Sequence, residues 1–517
     1  GERVKACEAC FGAADLALTQ AMFDQAAVLT RRGLELLDEE DPRAVGRRVV
    51  LARDILLPLG ERAQALELLD HAQQLADDGT MPFMQVIAAK GLVLVGTDRS
   101  DDGFVYARTA EAYFEAHGAP CEQIACLGAM CIYLRAQERP DEAYESADKA
   151  VGVAHTLNDP IVLGRALRLR GMARIRQRLA ESALADLEEA RRLFQDANAP
   201  YLEARVLDAI GINLINIGDY RQAKHHFTDA LALVGHLNLG DFAVGLRVNL
   251  AGCWAAGLGE FKRAVELQRQ ARQMAMEVGN TYLAHRILPN MVDCLTMLNA
   301  HEQAIALGLE ALDYALRVDD EQLAFRLRVV LASCTYQLGH LDKAWHWAQQ
   351  AEPFSPGNAL RQAYTYSLFG HIALEQGRIE VASQHLEQAL AVARHEGYKQ
   401  IEADTVMHMA RVHRYTGRLD DAVVCLEQAR ASTSMSGNAF NALLVSCEAS
   451  FVELARDPGS GPHGPELDAF AERIDMGDQL LFKRERQRLA RAEAAVERGE
   501  SLLAGLSPSD FKAIQGD

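Results

Sequence analysis

The feature that most constrains this 517-residue chain is an internal repeat running through most of its length. It is clearest from Tyr201 to Leu237. There Leu207, Gly211 and Leu214 lie on one segment, Gly218-Asp219-Tyr220 form a turn, and Ala223, Phe227 and Ala230 lie on a second segment. The turn and its following Ala recur as Gly259-Glu260-Phe261 with Ala264, Gly339-His340-Leu341 with Ala344, Gly377-Arg378-Ile379 with Ala382, and Gly417-Arg418-Leu419 with Ala422. Weaker copies centre on Ala26, Ala65, Gly103, Ala143, Ala183 and Ala304. Successive centres advance by nearly the same step, about 40 residues, a period typical of helical repeat arrays. A unit this small cannot bury its apolar face alone, so the period predicts a stacked array rather than the three or four separate domains that the length would suggest.

Each unit holds two stretches with apolar residues at i, i+3, i+4 and i+7, which predicts a helical hairpin and not strands. In the clear copy helix A spans roughly 201–217 and helix B roughly 220–236. A small residue at Gly211, matched by Gly91, Gly171 and Gly370, lets helix A approach its own helix B. Ala223 and Ala230 let helix B receive the next helix A, because a larger side chain there would overpack the seam. The low aromatic content, 6%, follows from such close seams.

This pattern resembles the tetratricopeptide repeat over about residues 10–430. The period is longer than that family's usual one, by enough to extend each helix by nearly one turn. It is similar to the longer repeats of the MalT-like (maltose-regulon activator) superfamily, of kinesin light chains and of quorum-peptide receptors. The resemblance implies an all-α fold: a right-handed superhelical α-solenoid of about eleven helix-turn-helix repeats over 1–437. Residues 438–517 would hold a degenerate repeat, a Pro/Gly loop at 457–465 and C-terminal capping helices, the last from about Asp478 to Arg498. Asn299 in place of the turn Gly, Pro140 in the aromatic place and Gly103 in place of the Ala suggest units that pack less regularly.

The charge, 53 Lys+Arg against 72 Asp+Glu, gives −19, so nucleic-acid binding would need a local basic patch and is not favoured. The best basic run, Lys483-Arg484-x-Arg486-x-Arg488 with Arg491, is interleaved with Glu485, Glu493 and Glu497 and reads as a solvated helix face. Ten scattered cysteines inside helical patterns suggest reduced thiols and a cytoplasmic setting. Cys7-x-x-Cys10 lacks a second pair, and the adjacent His225 and His226 point to different sides of a helix, so no metal site is expected. With no phosphate-cradling Gly-rich loop, no HExxH and no GxSxG, neither an enzyme nor a cofactor is expected. No apolar run is long enough to suggest a membrane span, and no basic-then-apolar start suggests a secretory leader. The start at Gly1 rather than Met suggests a piece of a longer protein with a further domain upstream.

The family resemblance places ligand contacts on the exposed face of helix A, along a concave groove. Carried onto this chain, those positions are Arg165, Arg168 and Met172; Arg205, Asp208 and Ile212; Asn249; Arg286, Asn290 and Asp293; Arg326 and Ser333; Tyr364, Ser367 and His371; and Asp404, Met407 and Arg411. In an acidic chain this face is rich in arginine. Asn offers a donor and an acceptor to an extended backbone, and Arg grips a carboxylate or phosphate with a fork. The expected partner is therefore a protein or peptide, acidic or phosphorylated, or an adjacent domain of the same chain. The resemblance implies a non-catalytic scaffold or the sensor arm of a multidomain signalling regulator linked to a STAND ATPase, a kinase or a cyclase. The alternative is a receptor whose small-molecule or peptide effector changes superhelix curvature. Against both stands the plainer reading that these arginines pair with Asp and Glu of neighbouring helices and only solvate the groove.

Overall fold

A computed structural model describes residues 2–38, 41–234, 240–257, 259–436, 439–473 and 480–498. The expected end of helix B at 236 and the expected start of the last helix at Asp478 lie outside the described residues. The described residues form helices and no strand. Hairpins follow one another at the sequence period: Pro120–Ala136 with Pro140–His155, Pro160–Arg176 with Ala180–Asp196, and Pro200–Asn216 with Tyr220–Val234.

Both connections of a hairpin end the preceding helix in the same way. A residue in the left-handed region recurs once per helix, as Gly118, Glu138, Asn158, Arg178, Asn198 and Gly218 and again from Gly259 to Gly417. This conformation lets the backbone N–H groups after the helix satisfy its last carbonyls. Asn299, with φ 57°, takes the same conformation as the glycine it replaces. Pro140 is simply the first residue of its helix, as Pro120, Pro160 and Pro200 are of theirs, where its missing N–H costs nothing.

Gly103 marks the closest backbone approach of its hairpin rather than a looser unit. A Cβ on Gly91 would stand 2.9 Å from Ala107 N and 3.1 Å from Gly103 O, and one on Gly103 would stand 2.9 Å from Gly91 O. At the other small-residue anchors the obstacle is a side chain: Phe227 at 2.6 Å from Gly211, Leu187 at 2.8 Å from Gly171 and Leu386 at 2.5 Å from Gly370. The repeat alanines Ala143, Ala183, Ala223, Ala264, Ala304, Ala344, Ala382 and Ala422 are all fully buried.

The chain divides into two compact units, residues 1–253 with 267–284, and residues 254–266 with 285–517. Within the first unit, hairpins far apart in sequence meet. Arg62 Nε donates to Asp241 Oδ2 at 2.8 Å, and Asn280 Nδ2 donates to Asp241 Oδ1 at 2.8 Å. The Phe23 and Tyr201 rings lie edge to face at 5.2 Å, and Tyr201 makes a similar contact with Phe242 at 5.9 Å. In the second unit, the C-terminal helix Leu480–Glu497 buries Phe482, Leu489 and Ala492 in a core with Val406, Leu443, Phe451, Leu454 and Leu467. The helix carrying Arg286 and Asn290 is interrupted between Thr281–Arg286 and Leu288–Met297, where Pro289 cannot donate to the preceding turn.

Candidate functional site: the inner faces of the A helices

The residues expected on the groove divide by unit into two different chemical settings. In the first unit, three consecutive A helices bring Arg135, Arg168 and Arg205 into one electrostatic cluster. Arg135 sits near the C-terminal end of Pro120–Ala136, Arg168 in the middle of Pro160–Arg176 and Arg205 in the first half of Pro200–Asn216. Burial, together with Arg205 and Arg135, brings the Arg168 guanidinium down to about 9. Burial, together with Arg176 and Arg205, brings Arg135 down to about 10. Among the described residues neither has a carboxylate within ion-pair distance, and Arg135 Nε is shielded from solvent without a hydrogen-bond acceptor. Arg205 donates to the Tyr201 hydroxyl at 3.1 Å and lies over the Phe242 ring at 5.4 Å. Arg165 is exposed.

Asp208 is the carboxylate that acts on all three arginines, and burial raises its carboxyl despite them. It accepts a hydrogen bond from Asn249 Nδ2 at 2.8 Å. Asn249 is therefore engaged within its own unit and is not an open backbone clamp. Met172 is buried at 7% exposure and serves packing.

In the second unit Arg286 and Arg411 have carboxylate partners on neighbouring helices, whereas Arg326 bonds an amide. Arg286 Nη1 lies 3.5 Å from Asp320 Oδ2, and its Nη2 donates to Gln322 Oε1 at 3.5 Å. Arg326 donates to Asn290 Oδ1, which occupies the amide oxygen that a peptide backbone would have used. Asp293 keeps an exposed surface along the same wall, yet its carboxylate end is desolvated by the surrounding helices, which raises its carboxyl to about 6 against the pull of Arg326. Tyr364 keeps 43% exposure.

Arg411 does not face an open groove. It is 6% exposed and bonds three glutamates: Glu375 Oε1 at 2.9 Å, Glu448 Oε2 at 3.2 Å and Glu485 Oε2 at 3.2 Å. Arg414 adds a second bond to Glu448, and Arg488 reaches Glu375 at 2.8 Å and Glu485 at 2.7 Å. Three arginines and three glutamates thus form a balanced buried network, two of its members on the C-terminal helix. That helix is not the solvated basic face its sequence suggested. Arg488 and Glu485 belong to the network, Arg484 lies over the Tyr336 ring at 5.7 Å, and Arg486 donates to Asp468 at 3.0 Å.

The sequence held a signal for this. Phe482, Glu485, Leu489 and Ala492 share one helical stripe, and a carboxylate inside an apolar stripe needs buried partners. Arg135 and Glu375 lie too near the ends of their helices to fall on the family's ligand positions, so the resemblance passed over them.

His371 lies one turn before Glu375. Its Nε2 is 3.3 Å from Asp404 Oδ2 and 3.1 Å from Ser367 Oγ, and its ring packs against that of His408 with centroids 3.7 Å apart. Burial, joined by Arg411, holds the pKa of His371 below that of a free imidazole. Burial, His371 and Arg411 do the same to His408 more strongly, so both rings are neutral near pH 7.

Among the described residues no helix is long and apolar enough to cross a membrane. Residues 360–434 match the family model of the tetratricopeptide repeat. No curated protein matches the sequence. Among solved structures the chain is similar to a Rap protein complexed with competence and sporulation factor, at 13% identity and a TM-score of 0.49 over 69% of this chain and 99% of that one. It is similar to the human IFIT1 dimer with m7Gppp-AAAA at 15% identity and a TM-score of 0.45, covering 84% and 94% of the two chains. Yeast Tom70 matches at 13% identity and a TM-score of 0.39, over 100% of both chains.

Proposed function

Since the chain is a helical-repeat protein of the tetratricopeptide type, we propose that it is a non-catalytic binding scaffold whose first unit receives an acidic or phosphorylated segment of a protein or peptide. The observation that carries this reading is the cluster of Arg135, Arg168 and Arg205. Like charges held close and partly buried cost stability unless something neutralises them, and Asp208 alone leaves a net positive charge. A carboxylate or phosphate brought by a partner would supply the missing counter-charge through forked, charge-assisted hydrogen bonds. The balanced network of Arg411, Arg414 and Arg488 has no such deficit, so those three arginines serve structure. In this reading the scaffold works in the cytoplasm as the sensor arm of a larger signalling regulator, and the acidic segment belongs to a separate protein or to an adjacent domain of the full-length chain. The family resemblance, with its MalT-like period, is the support for that setting.

The test uses fluorescence anisotropy with a labelled glutamate-rich peptide and a phosphorylated peptide of neutral background. Wild type should bind at least one of them with an affinity that falls as salt rises. Arg168→Ala should weaken that binding at least tenfold while raising the melting temperature, because it removes a like charge from the cluster. Equal affinity in wild type and variant for both peptides would overturn the reading.

A further inference from the structure

We propose that His371, Asp404 and His408 form a binding site for one divalent transition-metal ion of the zinc class. The site lies in the second unit and is independent of the peptide reading for the first.

Asp404 and His408 are four residues apart on the helix Lys399–Tyr415, so they stand on one face a turn apart. His371 reaches them from the preceding A helix, Ala359–Glu375. One ligand atom from each of the three residues lies within 4.8 Å of the others. The closest pair, His371 Nε2 and Asp404 Oδ2, is 3.3 Å apart, and His408 Nε2 is 4.0 Å from Asp404 Oδ1. Nitrogen and oxygen ligands at about 2.0–2.1 Å from a tetrahedral zinc stand about 3.3–3.5 Å from each other, so the closest pair already has ligand spacing and the widest separation, within 4.8 Å, has to close by up to about 1.5 Å.

The donor set selects the class of ion. Two imidazoles with one carboxylate suit zinc, cobalt or nickel, whereas calcium and magnesium require oxygen ligands throughout. Three protein ligands leave a fourth position for water or for Ser367 Oγ, which already stands 3.1 Å from His371 Nε2. The Asp404 side chain is 38% exposed and gives the ion a route in. The nearest fixed cation, Arg411, has its charge matched by Glu375, Glu448 and Glu485, which limits its repulsion of a metal. A bound ion would tie two consecutive A helices together across their seam.

The experiment titrates the whole chain, stripped with a chelator and desalted, with Co²⁺ followed by optical absorption and with Zn²⁺ followed by calorimetry. The expected result is one tightly bound equivalent, with the intense visible bands of low-coordinate Co²⁺ and no thiolate charge-transfer band. Zn²⁺ should displace the cobalt. His408→Ala and the more conservative Asp404→Asn should each weaken binding at least tenfold with unchanged circular dichroism, while Cys10→Ser should leave it intact. Binding that is equally tight in both site variants would overturn the proposal. So would a wild-type chain that leaves Co²⁺ with its aqueous spectrum.

Discussion

Replacing Glu485 by leucine should release the C-terminal helix. The carboxylate bonds Arg411 at 3.2 Å and Arg488 at 2.7 Å, and its removal leaves three buried arginines facing only Glu375 and Glu448. Removing one partner of a buried pair costs about 3–5 kcal/mol, because the remaining charge stays desolvated. What holds the helix otherwise is mainly the burial of Phe482 and Leu489, worth about 1.5–3 kcal/mol each. The two sums are of similar size, so local undocking should precede unfolding of the whole unit. Hydrogen–deuterium exchange over residues 480–498 should show lost protection in Glu485→Leu, and the urea midpoint of the second unit should fall. The double variant Glu485→Leu, Arg488→Met restores two arginines against two glutamates and should recover most of the loss. Acid should act in the same direction. Although burial opposes ionisation, Arg411, Arg488, Arg484 and Arg414 pull Glu485 from an ordinary 4.5 to about 2. The stability this contributes is present above about pH 4.5 and is lost as pH falls towards 2. Unchanged protection in the single variant, or a double variant as loose as the single, would refute the reasoning.

Three further predictions concern the repeat frame and the groove wall. Gly211→Ala should cost about 1–3 kcal/mol in urea unfolding through overpacking against Phe227, and Gly91→Ala should cost more, since its new methyl meets backbone that cannot rotate away. Arg178→Gly should raise stability by about 0.5–1 kcal/mol, as relief of a left-handed arginine outweighs the entropy of glycine. In a carboxyl-detected NMR titration Asp293 should ionise near pH 6. Because its folded pKa lies above the ordinary 3.8, its contribution to stability is full at lower pH and declines as pH rises through that interval.

The hairpins, their period and their seams were legible because each depends on residues close in sequence: a small residue, a turn and an alanine at fixed offsets. The irregular positions misled for the same reason. Asn299 looked like a flaw until its backbone showed the conformation that the turn requires. The groove was legible only in part. Position on a helix gave Arg168 and Arg205, but whether a guanidinium is neutralised depends on helices far along the chain. Arg411 is occupied by Glu485, nearly two repeats later in sequence, and no local pattern carries that distance.

The left-handed residue that recurs from Gly118 to Gly218 and from Gly259 to Gly417 gives the chain interchangeable joints. Asn158-Asp159-Pro160 and Asn198-Ala199-Pro200 are the same joint, one repeat apart. Excising residues 160–199 would bring Pro200 directly after Asp159 and rebuild a native junction. Excising one helix together with one joint would instead reverse every hairpin downstream and turn inner faces outward. Gain and loss of material in such a chain is therefore quantised in whole hairpins, and the span of its inner surface can be lengthened or shortened without redesigning any seam.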